Sequence, residues 1–258
     1  MFDVTAAALP RSGFRAAVRF EWTKMTTARS TLWTLATLGV LIPVLAVFVA
    51  ATGSLQPDDT ILGASLTGTV GSLVVAAASG AIVMTGEHST GTMRTTLAAC
   101  PRRSTVMAAK AIVVAGTMFV VSLAASTAAY LIGSAMLSGD DYASGDPWPA
   151  LLGIALGFSA VGVLGLAVGT ALRHSAGAVS AVVGVILVPS LFGPLFGDWQ
   201  RWVGGASPTA ALEKLSQTSD ATVEAVGTLG GWPSLVVLIA YTLVAVVGSA
   251  RLFATRDT

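Results

Sequence analysis

Six runs of mainly apolar residues constrain what this chain can fold into, because each is long enough to cross a bilayer as a helix. The runs cover residues 32–52, 61–85, 106–137, 150–172, 176–196 and 231–253. Only 10% of the 258 residues are charged, against about 25% in soluble domains. The sequence therefore predicts an all-α fold, a polytopic membrane protein whose six transmembrane helices form a single domain over residues 1–258.

Basic residues fall mainly on one side of this predicted membrane domain. With residues 1–31 in the cytoplasm, all of the 14 Lys and Arg residues except Arg201 and Lys214 lie in cytoplasmic segments. Residues 1–31 also lack the pattern of a cleaved signal peptide. We therefore expect a multi-pass protein of the plasma membrane with both termini cytoplasmic, a cytoplasmic loop at 86–105 and an extracellular loop at 197–230.

The segment before the first span has its own helical pattern. Large apolar residues recur there at helical spacing: Phe14, Val18, Trp22 and Met25. Arg11, Arg15 and Arg19 point elsewhere, as in an amphipathic helix that lies in the cytoplasmic interface and meets anionic lipid. The alternative is a disordered basic tail.

The span interiors are read as uncharged, which argues against an ion-coupled carrier or an intramembrane protease. Cys100, His88 and His174 show no metal-ligand spacing, and no phosphate-binding P-loop motif occurs. We expect no catalytic residue, metal or cofactor in this chain, and no nucleic-acid partner.

The fourth span carries two GxxxG pairs, Gly153 with Gly157 and Gly165 with Gly169. Small residues at this interval let helix backbones approach closely. The pattern fits helix packing within the subunit, and some of these faces also fit a dimer interface.

A compact polar patch, GEHSTGTMRTTLAACPRR at residues 86–103, separates the second and third runs. Met93, Arg94 and Leu97 have near-helical spacing, and Pro101 stops that helix. The patch predicts a short helix held against the cytoplasmic face, suited to receive force from a soluble partner.

At this patch the sequence resembles the permease subunits of type-2 ABC exporters. GEHSTGTMR is similar to the motif of that family between spans two and three, and TTLAACPRRSTVMAAKAIVVAG to its Pro-Arg-Arg turn and the lysine entering span three. RFEWTKMTTARSTLWTL resembles the family's interfacial elbow helix with its Glu-Trp-Thr-Lys signature. The resemblance extends over nearly the whole chain.

The resemblance implies that the loop 86–105 is a coupling loop that docks on a separate nucleotide-binding ATPase subunit, which holds ATP and Mg²⁺. By position the coupling-loop residues are Glu87, Gly91, Thr92, Arg94, Arg102 and Arg103. It also implies a second permease subunit, in a homodimer or a heterodimer. The competing interpretation is that Glu87 and Thr92 cap the loop helix while Arg94 pairs with lipid phosphate.

The family also tends to carry a re-entrant hairpin between spans five and six. Here residues 208–215 look helical, and they fit either that hairpin or a simple extracellular loop.

The leading functional hypothesis is the permease of an ABC transporter that exports an amphipathic or hydrophobic cargo, such as a drug-like natural product in multidrug or antibiotic efflux, a peptide or a lipid. The alternatives are a membrane-anchor subunit of an enzyme complex and an ion-coupled carrier.

Overall fold

The computed structural model describes residues 13–53, 55, 58–100, 102–137, 142–219 and 221–255, and every regular element in these ranges is helical. The α-helices are α1 (Phe14–Thr27), α2 (Arg29–Thr52), α3 (Ile61–Leu66), α4 (Gly68–Ser89), α5 (Thr92–Ala99), α6 (Arg103–Met136), α7 (Pro147–Leu172), α8 (Ser175–Phe192), α9 (Gln200–Gly205), α10 (Pro208–Ser216), α11 (Val223–Val226) and α12 (Gly231–Thr255). A 3-10 helix, Gly193–Trp199, follows α8. The predicted all-α class is confirmed.

Six helical segments are long and apolar enough to span a membrane, as predicted: α2, α3 with α4, α6, α7, α8 and α12. Their bounds differ from the sequence prediction in physically simple ways. The first and third begin three residues early, at Arg29 and Arg103, because helices continue past the apolar run that marks them. The fifth ends at Phe192 rather than 196, where Gly193 and Pro194 open the 3-10 helix.

The fourth span, α7, is the centre of the bundle, and residues along almost its whole length are buried. The first and last spans instead expose large apolar side chains such as Val44, Phe48, Val244 and Val247. An outer apolar surface of this kind suits lipid rather than water. The six apolar helices and this surface indicate a membrane-spanning protein.

Helix α10 packs on α7 at the first GxxxG pair, Gly153 and Gly157. A Cβ added at Gly153 would lie 2.8 Å from Leu215, and one at Gly157 would lie 2.7 Å from Leu212. Both leucines are buried. These glycines therefore pack against helix α10 of the same subunit and do not form a dimer interface.

The second GxxxG pair brings the backbones of α7 and α4 together. A Cβ at Gly165 or Gly169 would come within 3.0 Å of the carbonyl oxygen of Ala77 or Ala81. From the other side, a Cβ at Gly80 would collide with the carbonyl of Gly162. Small residues on both helices permit this contact between the second and fourth spans.

The segment between spans five and six is folded against the bundle rather than an open loop. Ser207 accepts a hydrogen bond from the Ala210 amide at 3.1 Å and so caps α10, while Pro208 occupies its first turn. Most of α10 is buried against α7 and α12. Residues 200–205 and 208–216 are thus helical, and α10 is packed on the bundle, so this segment is not a simple loop.

The N-terminal helix α1 forms as predicted, but it packs on α6 by a different face. Its buried residues are Ala17, Glu21 and Met25. Phe14 and Trp22 are exposed and Val18 is half-buried, so the apolar stripe divides between the protein and the surroundings. Arg11 lies outside the described residues, and the interfacial position of α1 stays a prediction.

Impermeant maleimide labelling of intact cells checks the orientation, using a Cys100→Ala background. Ser144→Cys, in the exposed connection before α7, is expected to react from outside, and Ser104→Cys, at the start of α6, only after permeabilisation, because basic residues hold that end inside. The reverse labelling pattern would contradict cytoplasmic termini.

Two alanine substitutions in α4 check the glycine contact. Gly80→Ala forces a methyl group against the Gly162 carbonyl and is expected to cost about 1–3 kcal/mol of stability. Gly71→Ala, with no heavy atom within 4 Å of its Cβ, is the matched control and is expected to change stability by less than about 0.5 kcal/mol. Thermal unfolding of the purified variants measures both, and equal melting temperatures would refute the packing argument.

Candidate functional site

Four charged side chains from three helices meet in one cluster, which we call the ion quartet: Glu21, Lys24, Glu87 and Lys110. Glu21 and Lys24 lie on α1, Glu87 near the end of α4, and Lys110 on α6. The Lys110 Nζ is 2.5 Å from Glu21 Oε2 and 2.5 Å from Glu87 Oε1. The Lys24 Nζ is 2.5 Å from Glu87 Oε1 and 2.8 Å from Glu21 Oε1. Each lysine therefore bridges both carboxylates.

The quartet is buried unevenly. The side chains of Lys110 and Glu21 are 2% and 4% exposed, whereas that of Lys24 is 27% exposed. Removing an ion from water costs several kcal/mol, and only close opposite charges offset that cost. The two lysines and two glutamates have no net charge, so the protein can bury the four ions together. The burial of each charge depends on the presence of the other three.

Helical geometry explains how α1 contributes two members. Glu21 and Lys24 are three residues apart, which places them on the same helix face. Met25 lies beside them on that face and packs into the core, where the Thr117 hydroxyl is 3.5 Å from its sulfur. The face that docks on α6 is thus half apolar and half charged.

The carboxylates also set the protonation of Lys24, which lies outside the membrane spans. Burial disfavours its charged form, but the charge of Glu87 and the contacts with both carboxylates outweigh burial and raise the pKa of Lys24. A raised lysine pKa means that its contribution to stability is present at neutral pH. It is lost only as the pH rises beyond the ordinary value of 10.5.

Glu87 keeps one oxygen that the described residues do not satisfy. Its Oε1 accepts from Lys24 and Lys110, while the buried Oε2 has no hydrogen-bond partner among them. His88 beside it has a ring nitrogen, Nδ1, 3.0 Å from the Met84 carbonyl, and its buried Nε2 likewise lacks a partner. The large majority of buried polar side-chain atoms in folded proteins have a hydrogen-bond partner, either in the protein or in ordered water, so these two atoms are exceptions.

Two expectations from the sequence are corrected here. Glu87 belongs to the α4 helix, which continues to Ser89, rather than to the loop after the span. Lys110 lies within the third predicted span, so the spans are not free of charge. The sequence prediction counted Lys110 with the cytoplasmic residues although it lies within the run 106–137, and hydropathy alone does not show that its charge is paired inside the protein.

The short helix α5 follows Glu87 after a tight turn. Gly91 adopts φ +71°, a conformation that favours glycine, and the chain reverses there into Thr92. The Thr92 hydroxyl lies 3.5 Å from the Glu87 carbonyl, and no side chain caps α5. The capping interpretation of Glu87 and Thr92 is therefore wrong.

Helix α5 has a buried face and an exposed face. Met93 and Thr96 are buried, while Thr92, Arg94 and Thr95 are exposed. Cys100 ends the helix in an extended conformation, as expected before a proline. Pro101 itself lies outside the described residues. The exposed ridge of α5 therefore carries a basic residue, Arg94, at its centre.

The two arginines after α5 have different surroundings. Arg102 is exposed and precedes the first residue of α6. Arg103 donates from Nη1 to the Phe253 carbonyl at 2.8 Å and lies 5.7 Å from the centre of the Phe253 ring. Arg103 thus joins the start of α6 to the end of α12, and of the two only Arg102 is available to a partner.

Sequence reasoning named Glu87 but not the rest of the quartet. Lys110 carried a signal, because it is the one charged residue between Arg103 and Asp140. Glu21 and Lys24 stood in the Glu-Trp-Thr-Lys stretch that carried the family resemblance. Their pairing across helices 63 to 89 residues apart in sequence has no local signature.

Comparison with known proteins finds no family model and no curated protein that matches this chain. Within the described part of the chain, no group of three or more His, Cys, Asp or Glu side chains is placed to hold a metal ion. The quartet is therefore interpreted from its own geometry.

Removing one or two members of the quartet tests its balance. Lys110→Met leaves two buried carboxylates facing one lysine and is expected to cost about 3–5 kcal/mol. Adding Glu21→Leu restores neutrality, with Lys24 facing Glu87, and is expected to recover much of that loss. Thermal unfolding gives the comparison, and a double variant less stable than Lys110→Met would contradict it.

Alkylation of Cys100, the single cysteine, gives a local readout. This thiol is buried in a small cavity of about 170 Å³ shared with Ala17 and Phe20 of α1. Release of α1 by Lys110→Met is expected to speed its alkylation, whereas the exposed Arg94→Ala is the control expected to leave the rate unchanged.

Proposed function

We propose that this chain is the permease subunit of an ATP-driven exporter of the type-2 ABC family, in the plasma membrane with both termini cytoplasmic. Two permease subunits and two ATPase subunits form the transporter in this proposal. The chain itself is not an enzyme, and ATP and Mg²⁺ belong to the ATPase. The motifs around residues 86–103 and 19–35 support the family, and the quartet supplies a physical route for coupling.

The observation that carries the proposal is the linkage between an exposed helix and the buried quartet. Arg94 and Thr95 lie on the exposed ridge of α5, and only two residues separate α5 from the end of α4. Glu87, in the last turn of α4, is tied to α1 and α6. A displacement of α5 is therefore transmitted to the two membrane spans α4 and α6 and to the N-terminal helix α1 together.

The candidate residues take different roles under this proposal. Thr92, Arg94 and Arg102 contact the ATPase, because they are exposed. Gly91 sets the turn that presents them. Glu87 and Arg103 act inside the subunit, through the quartet and through the end of α12.

An apolar or amphipathic cargo fits most of the hydroxyls inside the spans, although the buried hydroxyls of Ser126, Tyr241 and Thr242 have no partner among the described residues. The hydroxyls of Thr69, Ser72, Ser79 and Ser122 are buried, and each donates to a backbone carbonyl three or four residues earlier in the chain. Hydroxyls engaged in this way offer little to a hydrophilic solute. A hydrophobic or amphipathic molecule is therefore favoured over a sugar or an ion.

The charged residues on two membrane helices, Glu87 on α4 and Lys110 on α6, also favour an ion-coupled carrier as the second candidate. Against it, every quartet member has an opposite charge within 2.8 Å. Glu87 lies two residues from the end of α4, and Lys110 is only about 10 Å along α6 from its start at Arg103. A charge-neutral cluster at the helix ends suits structural coupling better than ion transfer through the bilayer.

Co-expression with a membrane-free P-loop ATPase from a neighbouring reading frame tests the proposal. Arg94→Glu places a carboxylate on the exposed ridge of α5 and is expected to lower ATPase co-purification at least tenfold. The control Arg29→Glu makes the same change on an exposed residue at the start of α2 and is expected to have no effect. Melting temperatures near the native value establish that both variants fold.

Three outcomes contradict the proposal. In the first, no such ATPase co-purifies with the native chain. In the second, Arg94→Glu retains full binding and full coupled ATP hydrolysis. In the third, proton or sodium gradients alone drive transport by the purified chain, which would establish the carrier instead.

A further inference from the structure

A cavity of about 350 Å³ adjoins the ion quartet, between α1, the start of α2, and the cytoplasmic ends of α4 and α6. We propose that this cavity binds the headgroup of a phosphatidylethanolamine-type lipid, a zwitterion with a primary ammonium group and a phosphate. The inference goes beyond the proposed transport function and uses only the cytoplasmic position of this end of the bundle.

The cavity is amphipathic along its length. Its polar part carries the quartet and hydroxyl-bearing residues such as Thr27, Ser30 and Thr31, while Ile82, Val83 and Val113 form an apolar wall. Ile82 is 36% exposed and also belongs to the outer surface of the bundle. A molecule with a polar head and an apolar tail can therefore place its head in the cavity and its tail along α4.

The volume restricts the size of the occupant. Sites for small molecules usually enclose about 300–1,000 Å³, so this cavity is at the small end of that range. A headgroup with its glycerol attachment is of suitable size, and the acyl chains remain outside with the bilayer.

The charges of the lining favour a zwitterion. Two lysines and two glutamates border the cavity, so a ligand with a net charge gains no overall electrostatic attraction. Lys24, at 27% the more exposed of the two lysines, is the cation that a phosphate can approach, although Glu21, Glu87 and the Phe20 ring already surround it. Hydroxyl donors such as Ser30 and Thr31 complete the phosphate environment.

Glu87 supplies the complementary half. Its Oε2 is buried with no hydrogen-bond partner among the described residues, and Glu87 borders the cavity. A primary ammonium group brings three N–H donors and satisfies this acceptor, as a lysine does. A trimethylammonium group has no N–H, so a choline headgroup leaves the carboxylate oxygen unpaired. The site should therefore distinguish ethanolamine from choline.

Native mass spectrometry of the delipidated chain, without any ATPase, tests the proposal. The chain is mixed with dioleoyl phosphatidylethanolamine, phosphatidylcholine or phosphatidylglycerol at equal concentration, or with free phosphoethanolamine. We expect the ethanolamine lipid to be retained at least fivefold more than either other lipid. We also expect free phosphoethanolamine to bind at least tenfold more weakly, because it lacks the tail that contacts the apolar wall.

Two variants locate the binding. Val83→Phe fills the cavity without changing a charge and is expected to abolish the ethanolamine preference, while Val120→Phe, on the exposed surface of α6, is its control. Glu87→Gln is expected to make the ethanolamine and choline lipids equivalent. Glu87→Gln also disturbs the quartet. If the Glu87→Gln variant does not fold, the comparison of Val83→Phe with Val120→Phe decides whether the lipid binds in the cavity.

Equal retention of the three lipids by the native chain overturns the proposal, as does an ethanolamine preference that survives Val83→Phe. Binding of free phosphoethanolamine as tight as the lipid overturns a membrane source for the headgroup. None of these results bears on ATPase binding, so failure here is distinct from failure of the exporter proposal.

Discussion

The burial of four charges is the interaction on which the packing of α1, α4 and α6 depends. Lys110 is almost inaccessible, and it is stable there only because α1 and α4 bring Glu21 and Glu87 to within 2.5 Å of it. Apolar packing tolerates small shifts, whereas a buried ion without its partner does not. The quartet therefore fixes three helices in one register, and the proposed transmission of motion from the exposed helix α5 to the spans requires this.

The fold could be predicted from sequence to the extent that hydrophobicity specifies it. Six apolar runs gave six spans, because a bilayer requires about twenty apolar residues for each crossing. The short helix α5 was also predictable, since Gly91 and Pro101 mark its two ends. The bounds moved by up to four residues, because hydropathy does not register polar residues that continue a helix.

The candidate site was less accessible to sequence reasoning. Glu87 was named from a motif, but its partners Glu21 and Lys110 come from segments far apart in the chain, and only the packing of α1 on α6 joins them. The helical spacing of the apolar residues in α1 predicted the wrong buried face. It pointed to Phe14 and Trp22, which are exposed, whereas the face packed on α6 is centred on Glu21. Amphipathic analysis ranks residues by hydrophobicity and is blind to a charge neutralised by another helix.

The contact between α4 and α7 has a mechanical consequence. Gly80, Gly165 and Gly169 bring backbone against backbone, so neither helix can slide or roll past the other without a steric clash. The two spans must move as a single stiff body, and α10, seated against Gly153 and Gly157, moves with them. Helix α7 is about 39 Å long, so a tilt of this body at the C-terminal end of α7 also displaces α10 near the other end.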